Sequence, residues 1–261
     1  MRDRNYILSL ERGLRILDIF GESSRPLTLT EVANLIKLTK TTTQRFLHTL
    51  CSIGYLNRDE NKRYALSMKV LSLGFTFLNS SSLTKVIKPY IDHLSVELNK
   101  TMNLAVLDNL EILYLYRKEV TRYLKYDLQA GSKLPAYCTA GGKILLAGLT
   151  NREIRKRIKE MSFDPITPRT ITSKETLFEE IKNTRKRGYS ICDRELSMDL
   201  YSLAIPVIQD KGEVVAAVNI TMGAKDKDSQ IKKQIVKKLI QAGEEISRLL
   251  GYQGSYPQFP S

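Results

Sequence analysis

Lys40, Thr41, Thr42, Gln44, Arg45, His48 and Thr49 fall within one short run, "KTTTQRFLHTL". Cations, hydroxyls, an amide and an imidazole stand together there without a carboxylate. Placed on a helix at about 100° per residue, Thr43, Phe46, Leu47, Leu50 and Cys51 share one side. Thr41, Arg45 and His48 lie opposite, with Thr42 and Thr49 on a flank. Acids ordinarily favour a first turn, where they oppose the positive end of the helix dipole. A first turn free of acids leaves that end open to an anion from outside. Arginine can pair bidentately with guanine in the major groove, and hydroxyls and amide N–H groups suit phosphate oxygens. The alternative is an ordinary solvated face, but β-branched threonines are poor helix material.

The surrounding elements are those that would present such a face. "SLERGLRILDIF" (9–20) has helical apolar spacing, with Ser9 as N-cap and Gly21 just past its end. "TEVANLIKL" (30–38) is a short helix capped by Thr28 or Thr30. Thr39 caps the next helix, which runs to about Ile53. "GYLNRDENKRYAL" (54–66) gives two short strands, Tyr55 and Leu56 facing Tyr64 and Leu66 across a polar turn. Three helices followed by a hairpin is the layout of a winged helix-turn-helix. Lys62 and Arg63 of the wing could reach DNA backbone or minor groove.

The whole chain of 261 residues has net charge +13, from 41 basic and 28 acidic residues. That balance suits an anionic partner such as double-stranded DNA, or reflects a lysine-rich composition alone. Charge does not localise the partner: residues 1–85 carry +6 and residues 86–261 carry +7. Cys51, Cys138 and Cys192 are odd in number and far apart, which offers no disulfide framework or metal spacing and fits a reducing cytoplasm. No apolar run has the length of a membrane span, and "MRDRNYILSLERG" lacks a signal-peptide core. No membrane partner is expected.

"NSSS" (79–82) and Pro89 break the pattern, placing a domain boundary near 80–86. Beyond it, 101–120 is a β-hairpin turning at Asp108-Asn109. "CTAGGKILLAGL" (138–149) is a helix, and 151–161 and 174–188 are basic amphipathic helices. "YSICDREL", "YSLAIPVIQ" and "EVVAAVNITMG" are strands, 228–251 is a long closing helix, and "YQGSYPQFP" looks unstructured. Hairpin-linked strands with helices predict an α+β domain built on an antiparallel sheet.

The small residues of "CTAGGK" would let a ligand approach the helix start, whose free N–H groups favour a carboxylate. Close helix-on-sheet packing explains them equally. "AGGKI" is no phosphate loop, since Ile144 stands where Ser or Thr is needed. Cys138 as a nucleophile would want a base. The two histidines, His48 and His93, lie far from it in sequence, so an enzyme is not expected. Lys143 on a helix flank, and Asp193 and Glu195 at a strand end, are each either solvated or turned to a ligand.

"SLERGLRILDIF…PLTLTEVANLIKLTKTTTQRFLHTLCSIGYLNRDENKRYALSMKVLSLG" resembles the IclR family of bacterial and archaeal transcription regulators. "LPAYCTAGGKILLA", "RGYSICDRELSMDLYSLAIPV" and "GEVVAAVNIT" match its effector-domain pattern in order and spacing, so the likeness spans about 8–251. "LPAYCTA" is most similar to the branch that senses aromatic acids such as protocatechuate or hydroxybenzoate. The resemblance implies a winged helix-turn-helix over 1–68, a linker helix over 69–85, a GAF-like effector and oligomerisation domain over 86–252, and a tail over 253–261. It implies homodimers, often paired into tetramers, on palindromic or repeated sites. It implies no cofactor but a small-molecule effector, a carboxylic acid, held by Ala140, Gly141, Asp193, Leu200, Ser202 and Ala204. An effector-independent architectural DNA-binding protein, its pocket filled by side chains, is the alternative. Two departures stand out. Lys37 replaces the usual glycine between the motif's helices. A left-handed lysine would cost roughly 1–2 kcal/mol, so a differently shaped turn is expected. Asp199-Leu200-Tyr201 replaces the usual Gly-Leu-Arg before the "SLAIPV" strand.

Overall fold

The computed structural model describes residues 5–23, 25–80, 82–121, 128–226 and 229–260. The chain divides into two units, Met1–Ser80 and Ser81–Ser261.

The first unit runs α1 (Leu8–Glu22), β1 (Leu27–Thr28), α2 (Leu29–Ile36), α3 (Lys40–Ser52), β2 (Leu56–Arg58), β3 (Arg63–Leu66) and α4 (Met68–Ser80). Its core joins Ile16 and Phe20 of α1, Val32 and Ile36 of α2, and Leu47 and Leu50 of α3 to Leu56 and Tyr64 of the wing. These are the positions that helical and alternating periodicity assign inward. Ser9 lies inside α1, not at its cap; Ile7 is the N-cap and supplies no side-chain bond. The wing has a third strand, since β1 pairs with β3 and the sheet order is β1-β3-β2. Leu56 faces Leu66 as expected, but Tyr64 faces Arg58 and not Tyr55.

Thr28 and Glu31 form a capping box at the start of α2. Arg25 donates to Glu31 Oε1 at 2.7 Å. That bond, with those from Thr28, lowers the Glu31 carboxyl to about 2. The turn into α3 keeps the left-handed shape without a glycine: Lys37 sits at φ 56°, ψ 46°, contrary to the expected reshaping. Its N–H donates to the Ala33 and Asn34 carbonyls, and this closure of the helix end requires that conformation.

The second unit runs α5 (Ser82–Leu98), β4 (Thr101–Asp108), β5 (Glu111–Lys118), β6 (Lys133–Pro135), α6 (Ala140–Ala147), α7 (Asn151–Glu160), α8 (Lys174–Arg187), β7 (Ser190–Asp193), β8 (Leu200–Ile208), β9 (Val214–Gly223) and α9 (Ser229–Leu249). The sheet order is β6-β5-β4-β9-β8-β7, each neighbouring pair antiparallel. Successive side chains of β8 point to opposite faces. Ala204 packs in the cluster that includes Ile144 of α6, whereas Ile205 meets Gly243 of α9. The two helices therefore cover opposite sides of the sheet.

Two sequence expectations change here. Cys138 ends a 3-10 turn over Ala136–Cys138, and α6 begins only at Ala140. The segment after α9 is ordered against the domain. Tyr252 is buried, and the Tyr256 hydroxyl donates to the Pro206 carbonyl at 2.6 Å.

Candidate nucleic-acid interface and ligand cavity

Helix α3 is fixed by its inner face and its cap. Thr43, Leu47 and Leu50 are buried. Thr39 accepts from Thr42 N–H at 3.3 Å, and its hydroxyl donates to Thr42 Oγ1 at 2.9 Å. Thr41, Arg45 and His48 are exposed, as the wheel assigned them, and so are Lys40, Gln44 and the flanking Thr49; Thr42, on the same flank, is half-buried in the cap. Several hydroxyl contacts are internal to the helix: Thr49 donates to the Arg45 carbonyl at 3.0 Å, Thr43 to the Thr39 carbonyl at 3.0 Å, and Ser52 to the His48 carbonyl at 2.9 Å while meeting His48 Nδ1 at 3.2 Å. Among the described residues, none hydrogen-bonds or ion-pairs with the side chains of Lys40, Thr41, Gln44 or Arg45. The α3 front is thus a cationic and polar surface with unengaged donors.

In the wing, Asp59 closes the turn. Its carbonyl accepts from Lys62 N–H at 3.1 Å and its carboxylate from Arg63 N–H at 2.7 Å. Lys62 takes a left-handed φ of 59° and is exposed. Arg63 is also exposed, but its guanidinium turns back to the Pro26 carbonyl at 3.5 Å. Arg58, not singled out from sequence, stands exposed with its guanidinium 5.5 Å from the Tyr64 ring centre. The cross-strand placement opposite Tyr64 was the available signal, and the register misjudged there hid it.

The second unit holds a narrow cavity between the start of α6 and the sheet. Tyr114, Arg117, Thr139, Ala140, Gly141, Cys192, Leu196, Leu200, Ser202, Asn219 and Thr221 are among its lining. Of the residues expected there, Ala140, Gly141, Leu200 and Ser202 line it. Asp193 and Ala204 do not. Asp193 is half-exposed and pairs with Arg194 at 2.8 Å and Arg169 at 3.5 Å. Ala204 is fully buried one step further along the same face of β8. The free space reachable by the centre of a water-sized sphere is about 20 Å³, room for about one water.

The two glycines of α6 serve different ends. A Cβ on Gly142 would fall on the Ala136 backbone, so this glycine lets the helix sit on the preceding turn. A Cβ on Gly141 would meet only ordinary contacts, 3.6 Å from Ile112 and 3.8 Å from Asn219 Oδ1. Thr139 caps α6 by accepting from Gly142 N–H at 3.1 Å.

Sequence reasoning missed the polar side of this cavity. Arg117 of β5 donates to Asn103 Oδ1 and to Glu119 Oε2, each at 2.7 Å. Asn103 and Asn219 are cross-strand partners on β4 and β9. Among the described residues, Asn103 Nδ2 and Asn219 Oδ1 are buried without a hydrogen-bond partner. A buried orphan acceptor costs free energy until a donor meets it. Asn103 and Arg117 face each other across the β4–β5 hairpin, while Asn219 comes from β9, remote in sequence.

Lys143 and Glu195, read as solvated or ligand-facing, form a buried ion pair instead; their side chains are 1% and 8% exposed. Burial pushes the Glu195 carboxyl up, against the pull of the Lys143 ammonium. Burial also raises the Cys138 thiol to about 12, the opposite of an activated nucleophile. His48 and His93 lie on α3 and α5.

Known proteins bear on both sites. The family model described as "IclR helix-turn-helix domain" matches residues 9–60, and the one described as "Bacterial transcriptional regulator IclR C-terminal" matches residues 75–248. The chain belongs to the IclR family. This IclR-family chain is a DNA-binding transcriptional regulator with a helix-turn-helix unit and an effector domain. It is 36% identical to the Pca regulon regulatory protein of Pseudomonas putida, over 84% of this chain and 75% of that one. It is 32% identical to the HTH-type transcriptional regulator XynR of Escherichia coli, over 94% and 98%. A crystal structure of a transcriptional regulator from Rhodococcus sp. RHA1 matches with TM-score 0.78 and 33% identity, over 94% and 98%. An IclR homologue from Microbacterium hydrocarbonoxydans, crystallised with 4-hydroxybenzoate, shares the fold at TM-score 0.77 and 21% identity, over 93% and 98%. Among the described residues, no helix is long and apolar enough to cross a membrane.

Proposed function

We propose that this IclR-family regulator reads double-stranded operator DNA with α3 and answers to a small carboxylic acid held at the start of α6. The observation that carries the first half is the unengaged front of α3. In this reading Arg45 and Gln44 meet base edges, while Lys40, Thr41, Thr42 and His48 serve phosphates and flanking contacts, and Thr49 does so after leaving the Arg45 carbonyl. Among the described residues nothing pairs with the Lys62 side chain, which serves as the wing's cation; Arg58 joins it, and Arg63 does so after leaving Pro26.

The second half is supported by the cavity's chemistry. First-turn N–H groups of α6 and the Arg117 guanidinium supply positive potential, and Asn219 Oδ1 awaits a donor such as a hydroxyl. Ala140, Gly141, Leu200 and Ser202 supply the walls. Asp193 and Ala204 belong behind or beside the site. No metal or cofactor enters this reading, and binding, not catalysis, is the chemistry of both sites.

Self-association belongs to the same proposal. Helix α4 exposes Met68, Leu71, Leu73 and Phe75, each over half accessible, and α1 exposes Leu10 and Leu14. A helix apolar around much of its girth is ordinarily covered. A second copy of the chain is the occupant, because paired readers match repeated half-sites about 34 Å apart.

The test is binding to the DNA just upstream of the protein's own gene across a salt series. Footprinted binding exceeding random DNA by ~10³-fold or more is expected. Binding equal on random DNA and lost steeply with salt would leave charge alone as the driver and overturn the reading.

A further inference from the structure

The loop 194–199 joins β7 to β8 and carries Leu196 to the cavity wall, with Leu200 at its end. Across the cavity stands the start of α6. Lys143, one turn into α6, reaches over to the loop: its ammonium pairs with Glu195 and donates to the Ile191 carbonyl at 3.0 Å. On its other side the loop hangs from two hydroxyls. Thr167 donates to the Arg194 carbonyl at 2.7 Å and Thr170 to the Glu195 carbonyl at 2.6 Å. Arg194 itself is left-handed, at φ 63°. Among the described residues, the second Glu195 oxygen is buried with no hydrogen-bond partner.

A buried ion pair is a poor source of net stability, because desolvation offsets most of the attraction, and an unsatisfied oxygen makes the balance poorer. What such a pair does supply is direction: it is strong only when closed, and both charges regain water when it parts. We propose that the Lys143–Glu195 pair is a latch holding the 194–199 loop over the cavity, so that the cavity opens when the pair separates. Lys143 and Glu195 are positioning residues here; neither lines the cavity. That the opening admits an effector rests on the function proposed above, but the latch can be tested without any effector.

Cys192 reports the opening. It lines the cavity, is 1% exposed, and its thiol donates to the Cys138 carbonyl at 3.1 Å. Cys138 is equally buried but does not line the cavity, which makes it an internal control for general loosening. The experiment labels full-length wild type, Lys143→Met and Glu195→Gln with N-ethylmaleimide and follows each cysteine by peptide mass spectrometry. Glu195→Gln keeps the side-chain shape, so it serves if Lys143→Met does not fold. The expected result is Cys192 labelling at least ~10-fold faster in both variants, and faster than Cys138 by that factor; because the ammonium lowers both thiols and the carboxylate raises them, a purely electrostatic effect would have opposite signs in the two variants and would overturn the latch. Cys192 rates equal to wild type would overturn the latch. Parallel acceleration of both cysteines would also overturn it, because the pair would then support the core as a whole. A failed search for an acid ligand would bear on the proposed effector and leave the labelling result standing.

Discussion

At Arg45 the chemistry expected of a base reader and the observed surroundings meet: an exposed guanidinium on a helix whose opposite side is locked in the core. Arg45→Ala is expected to weaken operator binding by about 1–3 kcal/mol while changing affinity for random DNA much less. Titration of both DNAs with the variant checks this; equal losses on the two would reassign Arg45 to phosphate. The face of α3 was legible because helical periodicity is local. The Lys143–Glu195 pair was not, since its members are 52 residues apart and meet only after β7 is laid beside α6. Every residue of α6 is buried, but a lysine on a helix is read as exposed until its tertiary partner is known. Asn219 escaped for the same reason, since β9 is remote from β4 in sequence; Arg117 and Asn103 pair within the β4–β5 hairpin, but each alone is an ordinary strand residue.

Among the elements, the α2–α3 turn carries a visible inconsistency between sequence and conformation. Lys37 occupies a left-handed site that favours glycine. Lys37→Gly is expected to stabilise the first unit by on the order of 1 kcal/mol, by removing the Cβ clash. Urea unfolding compared with wild type measures it; an unshifted midpoint would mean the turn holds no strain. The capping box of α2 gives a pH signature. The Glu31 carboxyl lies at about 2 when folded, against 4.5 ordinarily, because it accepts from Arg25 and Thr28. A depressed acid contributes stability that is fully present above 4.5 and lost as pH falls toward 2. Wild type is therefore expected to lose its advantage over Glu31→Gln between those two values, which paired denaturation curves would reveal. Long helices with clear caps at Thr39, Thr150 and Ser173 could be read directly. The strands β1 and β6, of two and three residues, could not. Such short pieces exist only because β3 and β5 offer free edges.

For the whole molecule, the C-terminal segment is where sequence reading failed most. Tyr, Gln, Pro and Gly in close succession have no periodicity, and their anchors are remote: Tyr256 finds Pro206, and Pro257 rests against Gly188. A Cβ on Gly243 would fall on the Tyr256 hydroxyl, so α9 accepts this segment through a missing side chain. Gly243→Ala is expected to destabilise the second unit by about 1–3 kcal/mol through overpacking and to expose the segment to chymotrypsin. Unchanged stability and cleavage would show that the segment contributes nothing there. Net charge, by contrast, was legible at once but spread over both units, so it suited an anionic partner, or a lysine-rich composition alone, without locating any surface.

The narrowness of the cavity has a consequence for sensing. A molecule larger than one water binds only a conformer whose walls have moved, so its apparent affinity is its intrinsic affinity scaled by how often that conformer occurs. The concentration at which such a sensor responds is then written in the protein's own equilibrium. A wall substitution that eases opening by about 1.4 kcal/mol would lower the response threshold nearly tenfold, when the open form is rare, without touching the molecule being sensed.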